Sequence, residues 1–84
     1  MKIKYYKHIL LTYDFDAKKE TRVVINSFRK KPTLAQMRAV NAITCMSEER
    51  EIDVPTEEVL ELIDRLENSL IYDTNIIDEF EKEN

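Results

Sequence analysis

There is no glycine anywhere in these 84 residues. Glycine enters positive-φ backbone without a steric penalty and lets main chain approach a ligand closely. A chain without it lacks the phosphate cradle of the Walker and dinucleotide types, and it lacks the Gly-x-Ser-x-Gly nucleophile elbow. Most common nucleotide-dependent enzyme classes are set aside on that ground. Tight two-residue hairpin turns also lean on glycine, so a hairpin in this chain needs a loop of four or more residues.

The length suits one small domain with a single modest core. Apolar residues make up 43% and charged residues 36%, the balance of a soluble globular protein. No apolar run approaches the roughly 20 residues that a membrane span requires. The first eight residues carry lysines but no long apolar stretch, so no signal peptide is expected. The lone cysteine, Cys45, permits no internal disulfide, which fits a reducing cytoplasm.

Residues 2–13 alternate as a strand should, with Ile3, Tyr5, Ile9, Leu11 and Tyr13 on one face. A polar loop from Asp14 to Glu20 leads to a second strand over 21–29, rich in Val23, Val24, Ile25 and Phe28. Together they predict an antiparallel hairpin over about 2–29. Thr33 followed by Gln36 is a capping-box pattern and starts a helix predicted over 33–46. On that helix Ala35, Ala39, Ala42, Ile43 and Met46 share one face, and the small residues suggest close approach to the sheet, with Ala39 buried against it. Residues 50–54 fit a short third strand or a loop equally well. A second helix is expected over 56–71, with Thr56 as cap and Val59, Leu62, Ile63, Leu66 and Leu70 as its apolar stripe. A third, short helix is expected over 74–82, docked by Phe80. The fold class expected is α+β: an N-terminal antiparallel hairpin packed on two or three helices, in one domain spanning 1–84.

Few residues invite chemistry. Asp14, Asp16 and Glu20 are the candidates for a hard cation, which favours oxygen ligands. They lack the glycine and the full ligand set of a calcium loop, and aspartates commonly shape turns, so no metal is expected. His8 is the only histidine, and neither a Ser–His nor a Cys–His pair follows from spacing. Cys45 sits in an apolar stretch, where cysteine usually acts as a small buried hydrophobe. No cofactor and no enzymatic activity are expected.

Charge is the stronger signal. Residues 1–31 hold nine Lys or Arg and three acids, whereas residues 32–84 hold four basic residues and fourteen acids. The mild total of −4 therefore hides a bipolar chain. The basic hairpin, with Tyr5, Tyr6 and Tyr13 interleaved among lysines, could stack bases and meet phosphates. The acidic half concentrates Glu48, Glu49, Glu51, Asp53, Glu57, Glu58, Glu61 and Asp64, which laid along one surface would imitate a phosphate backbone. A solvated helix face is the plain alternative for such a run.

In size, charge and hairpin-plus-helices build, the chain resembles the small acidic inhibitors encoded by phages and prophages, anti-CRISPR proteins among them. The resemblance implies a cytoplasmic protein that blocks a host nucleic-acid-processing complex, such as a CRISPR nuclease. The eight acids just named would then meet a basic groove on a host protein or ribonucleoprotein. The alternatives are a nucleic-acid-binding or regulatory module using the hairpin, and a small structural or homo-oligomeric subunit.

Overall fold

The computed structural model describes residues 1–68 and Ile77. Strand β1 (Lys2–Asp14) and strand β2 (Lys19–Ser27) form the expected hairpin. They are followed by helix α1 (Leu34–Ala39), strand β3 (Ala42–Asp53), a 3₁₀ turn at Thr56–Glu58 and helix α2 (Val59–Asn68). The strands make one antiparallel sheet in the order β2-β1-β3, so the first strand of the chain is the central one. The architecture is α+β in a single small domain, and the hairpin is two thirds of a larger sheet.

Local chemistry explains the turns. In the β1–β2 loop the Asp14 carboxylate accepts the backbone N–H groups of Asp16 and Ala17, at 3.0 and 3.1 Å. This is an Asx-type turn, and it does the work that a glycine would otherwise do. Lys18 then takes a left-handed conformation, φ 52°, to enter β2.

Helix α1 begins as its capping box requires. The Thr33 hydroxyl accepts the Gln36 N–H at 3.1 Å, and the Gln36 side-chain oxygen accepts the Thr33 N–H at 2.9 Å. Its end corrects the prediction of a helix over 33–46, because α1 stops at Ala39. The reason lies in Val40, Asn41, Ile43 and Thr44. Branched β-carbons lose rotamer freedom in a helix and suit a pleated surface, and asparagine tolerates the left-handed region. Asn41 sits at φ 53° and its N–H donates to the Arg38 carbonyl, closing the helix. The following segment, Ala42–Asp53, pairs with β1 at every residue but Ile43, and it takes in the segment 50–54 left open by the sequence, up to Asp53.

The face of α1 is also corrected. Ala35 and Ala39 are exposed, while Gln36 is buried and Met37 and Val40 are half-buried. The small-residue stripe was read at helical spacing across residues that belong partly to a strand.

The register sorts side chains by face, since cross-strand partners point the same way. Tyr6, His8, Leu10 and Thr12 share a face with Ser27, Ile25, Val23 and Thr21 of β2, and with Glu49, Ser47 and Cys45 of β3. Met37 of α1 stands over this face, lining a cavity with Tyr6, Cys45 and Ser47. The opposite face carries Ile3, Tyr5, Lys7, Ile9 and Leu11 with Asn26, Val24, Ile52, Arg50, Glu48 and Met46. Near Leu11 and Thr12 the β3 register shifts and skips Ile43, a bulge that leaves this isoleucine 60% exposed.

The core joins Tyr5, Leu10 and Ile25 of the hairpin with Ile52 and Val54, and with Val59, Leu62 and Leu66 of α2. Ile77 also belongs to it. The α2 stripe is as predicted, with Ile63 half-buried at its border and Leu60 turned to solvent. Thr56 is not the cap expected of it: Pro55 holds the cap position, with no side-chain hydrogen bond. Leu70 and, apart from Ile77, the helix expected over 74–82 lie outside the described residues.

Candidate functional site

The eight acids assigned to partner binding fall on a strand and on two short helical segments. Glu48, Glu49, Glu51 and Asp53 belong to β3. Alternation divides them: Glu49, Glu51 and Asp53 share the Tyr6 face, and Glu48 lies on the other. Glu57, Glu61 and Asp64 are exposed on the 3₁₀ turn and α2, while Glu58 is half-buried.

The basic and acidic halves of the chain meet along the β1–β3 ladder. Lys2 pairs with Asp53, Lys4 with Glu51 and Lys7 with Glu48. Lys2 reaches the Glu51 carboxylate at 3.8 Å, the Met1 ammonium reaches Asp53 at 3.0 Å, and Arg50 bonds Glu48. These pairs are solvent-exposed, so each adds little to stability, and together they partly offset the acid excess. β3 is an edge strand. Among the described residues no further strand lies along its outer side. Such an edge is a template for another extended chain.

At the Asp14 loop, the Asp14 carboxylate is engaged by the turn amides, and Asp16 and Glu20 are exposed. Among the described residues no group of three or more His, Cys, Asp or Glu side chains is placed to hold a metal ion. Among them, too, no helix is long and apolar enough to cross a membrane.

A second constellation was not legible in the sequence. His8 is fully buried in the middle of the sheet. Its Nδ1 lies 2.7 Å from the Ser47 hydroxyl on β3, and its Nε2 lies 2.8 Å from the Ser27 hydroxyl on β2. Cys45 Sγ is 3.7 Å from the same Ser47 oxygen. The Tyr6 ring lies parallel to the imidazole, with centroids 6.4 Å apart. Burial lowers the His8 pKa from its ordinary 6.5, a hydrogen bond with the Arg29 backbone opposing the shift, so the ring is neutral at pH 7. Beside this group opens a cavity of about 420 Å³ lined by Tyr6, Lys30, Lys31, Pro32, Met37, Cys45 and Ser47. Only the register of β3 brings Ser47 to His8, 39 residues away in the chain. A strand whose first five residues fell inside a predicted helix could not reveal it.

The chain matches no protein-family model, no curated protein and no solved structure.

Proposed function

We propose that this chain is a protein-binding module that captures a basic, extended segment of a partner along the outer edge of β3. The observation that carries the reading is the edge itself. Glu49, Glu51 and Asp53 sit on one face of a strand that has no further strand beside it among the described residues. β1 provides the template for such an occupant, because its lysines at positions 2, 4 and 7 already face the acids on the inner side of the same strand. Strand addition takes affinity from main-chain hydrogen bonds and specificity from alternate side chains. Lysine- and arginine-rich segments line the grooves that hold nucleic acid. Occupying one would block a nucleic-acid-processing complex, which is the inhibitor role implied by the resemblance to small phage proteins. The exposed acids Glu57, Glu61 and Asp64 would extend the contact.

The bulge at Ile43 limits the docking length, since it breaks the ladder near the start of β3. The partner segment then pairs with β3 from Thr44 onward.

A peptide alternating lysine and threonine is the direct probe. It should shift the amide resonances of residues 44–53 in NMR titration, and more weakly at high salt because the charges are screened. Neutralising Glu49→Gln together with Glu51→Gln should weaken binding, while Lys30→Glu with Lys31→Glu should not. An unshifted β3, or loss of binding in the lysine variant alone, would favour the hairpin or nucleic-acid alternative instead.

A further inference from the structure

We infer that Ser47 is a nucleophile, with His8 as its general base, and that the adjoining cavity admits a small acyl ester.

The placement of His8 between two hydroxyls, one of them at a cavity, carries the case. The Ser27 hydroxyl donates to the Arg29 carbonyl at 3.3 Å and accepts the Arg29 N–H at 3.2 Å. With its one proton on that carbonyl, Ser27 accepts from His8. In that arrangement the proton of the neutral imidazole sits on Nε2, pointing at Ser27, 2.8 Å away. Nδ1 then keeps its lone pair, and the Ser47 hydroxyl, 2.7 Å away, is placed to donate into it. A hydroxyl held against a neutral imidazole, which is itself oriented from behind by a third group, is the arrangement that activates a serine. Ser27 and the Arg29 turn fill the orienting role here.

Exposure separates this arrangement from a histidine merely satisfied inside a core. Ser27 is buried, as a purely structural partner would be, whereas Ser47 is exposed and lines the cavity. Tyr6, Pro32, Met37 and Cys45 give that cavity apolar walls, and Lys30 and Lys31 place cations at its border. An acyl group with an apolar body fits the walls. The lysine charges favour the negative oxygen that develops on attack.

The step balances as follows. The Ser47 oxygen bonds to the acyl carbon as its proton moves to Nδ1 of His8. The ester C–O bond then breaks, and the departing alkoxide takes that proton and leaves as the alcohol. Water, deprotonated by the same nitrogen, hydrolyses the acyl-serine to the acid and restores Ser47. No oxidant, reductant or metal is consumed. This inference is independent of strand capture, since it concerns side chains beneath α1 and not the main-chain edge.

A fluorophosphonate probe tests it, because attack forms an O–P bond at Ser47 and expels fluoride, with the proton passing through His8. Mass spectrometry of the full chain should show one adduct, mapped to Ser47 by peptide fragmentation. Ser47→Ala should abolish it with the fold unchanged by circular dichroism. His8→Gln should slow labelling about a hundredfold, a typical general-base contribution. Should that variant fail to fold, Ser27→Ala supplies the second arm, slowing labelling by freeing the tautomer while Ser47 remains in place. Labelling in the parent should fall as pH drops through the His8 titration and stay flat above it. No adduct on the folded parent, an adduct on a lysine or tyrosine instead, or labelling of Ser47 that ignores both pH and His8 would each overturn the inference.

Discussion

Lys18 and Asn41 take left-handed backbone, at φ 52° and 53°. A residue with a β-carbon pays about 1–2 kcal/mol to stand in that region, although a short polar side chain such as asparagine lowers the penalty by local hydrogen bonding. Placing glycine where φ is negative costs about 0.4–1 kcal/mol, mainly through the freer unfolded chain. At Lys18 relief should exceed that cost, so Lys18→Gly should stabilise by about 0.5–1 kcal/mol. At the neighbouring Ala17, whose φ is not positive, Ala17→Gly should destabilise by about 0.4–1 kcal/mol. Asn41→Gly should lie between them, near zero. For a domain of this size a 1 kcal/mol change moves Tm by roughly 4–8 °C, well within reach of a thermal melt. Urea unfolding with an unchanged slope would place the effect in stability and not in denatured-state compactness. The reasoning fails if Lys18→Gly destabilises as much as Ala17→Gly, because then the loop does not hold Lys18 left-handed.

Further outcomes follow from burial and charge. Leu62, with no exposed surface, should cost about 2–5 kcal/mol as Leu62→Ala, while Leu60→Ala, at 80% exposed, should stay within about 0.5 kcal/mol; equal urea midpoints would refute the helix orientation. Ala39→Leu, on the exposed side of α1, should leave the urea midpoint nearly unchanged, against the loss of about 1–3 kcal/mol expected if that residue met the sheet. His8 has a folded pKa below its unfolded 6.5, so between the two values the unfolded chain binds the extra proton. Stability from this group is therefore complete above about pH 6.5 and falls as the pH drops below it. Urea midpoints at pH 7.5 and 5.5 should differ in the parent and converge in His8→Gln.

The sequence made the hairpin, the start of α1 and the buried stripe of α2 legible, because each rests on chemistry between near neighbours. Alternation marked β1 and β2, Thr33 and Gln36 marked the cap, and Val59, Leu62 and Leu66 marked the helix face. β3 was not legible, for a reason visible in its burial. Ala42, Cys45 and Glu48 are its half-buried residues, a spacing of three that imitates a helix. The bulge at Ile43 puts Ala42 and Cys45 on one face, while Glu48 lies on the other. A strand whose period is set by tertiary surroundings cannot be read from its own residues. The acidic positions were visible as composition, but their division between two faces required the register. The His8, Ser27 and Ser47 group depended on the same register and left no local trace.

The order β2-β1-β3 also has a consequence during synthesis. β1 is made first and can pair with β2 at once, but its other edge must wait for β3, whose end lies about 26 residues beyond Ser27. At about 5–20 residues per second that interval lasts roughly 1–5 s. For that time the nascent hairpin exposes the strand that will become the centre of the sheet, with Ile9, Leu10 and Leu11 along it. Lysine on a bare strand edge discourages pairing with other chains. Lys2, Lys4 and Lys7 thus guard β1 before they have any acid to face. Replacing them with neutral residues should reduce the yield of soluble protein more than it lowers the stability of the finished fold.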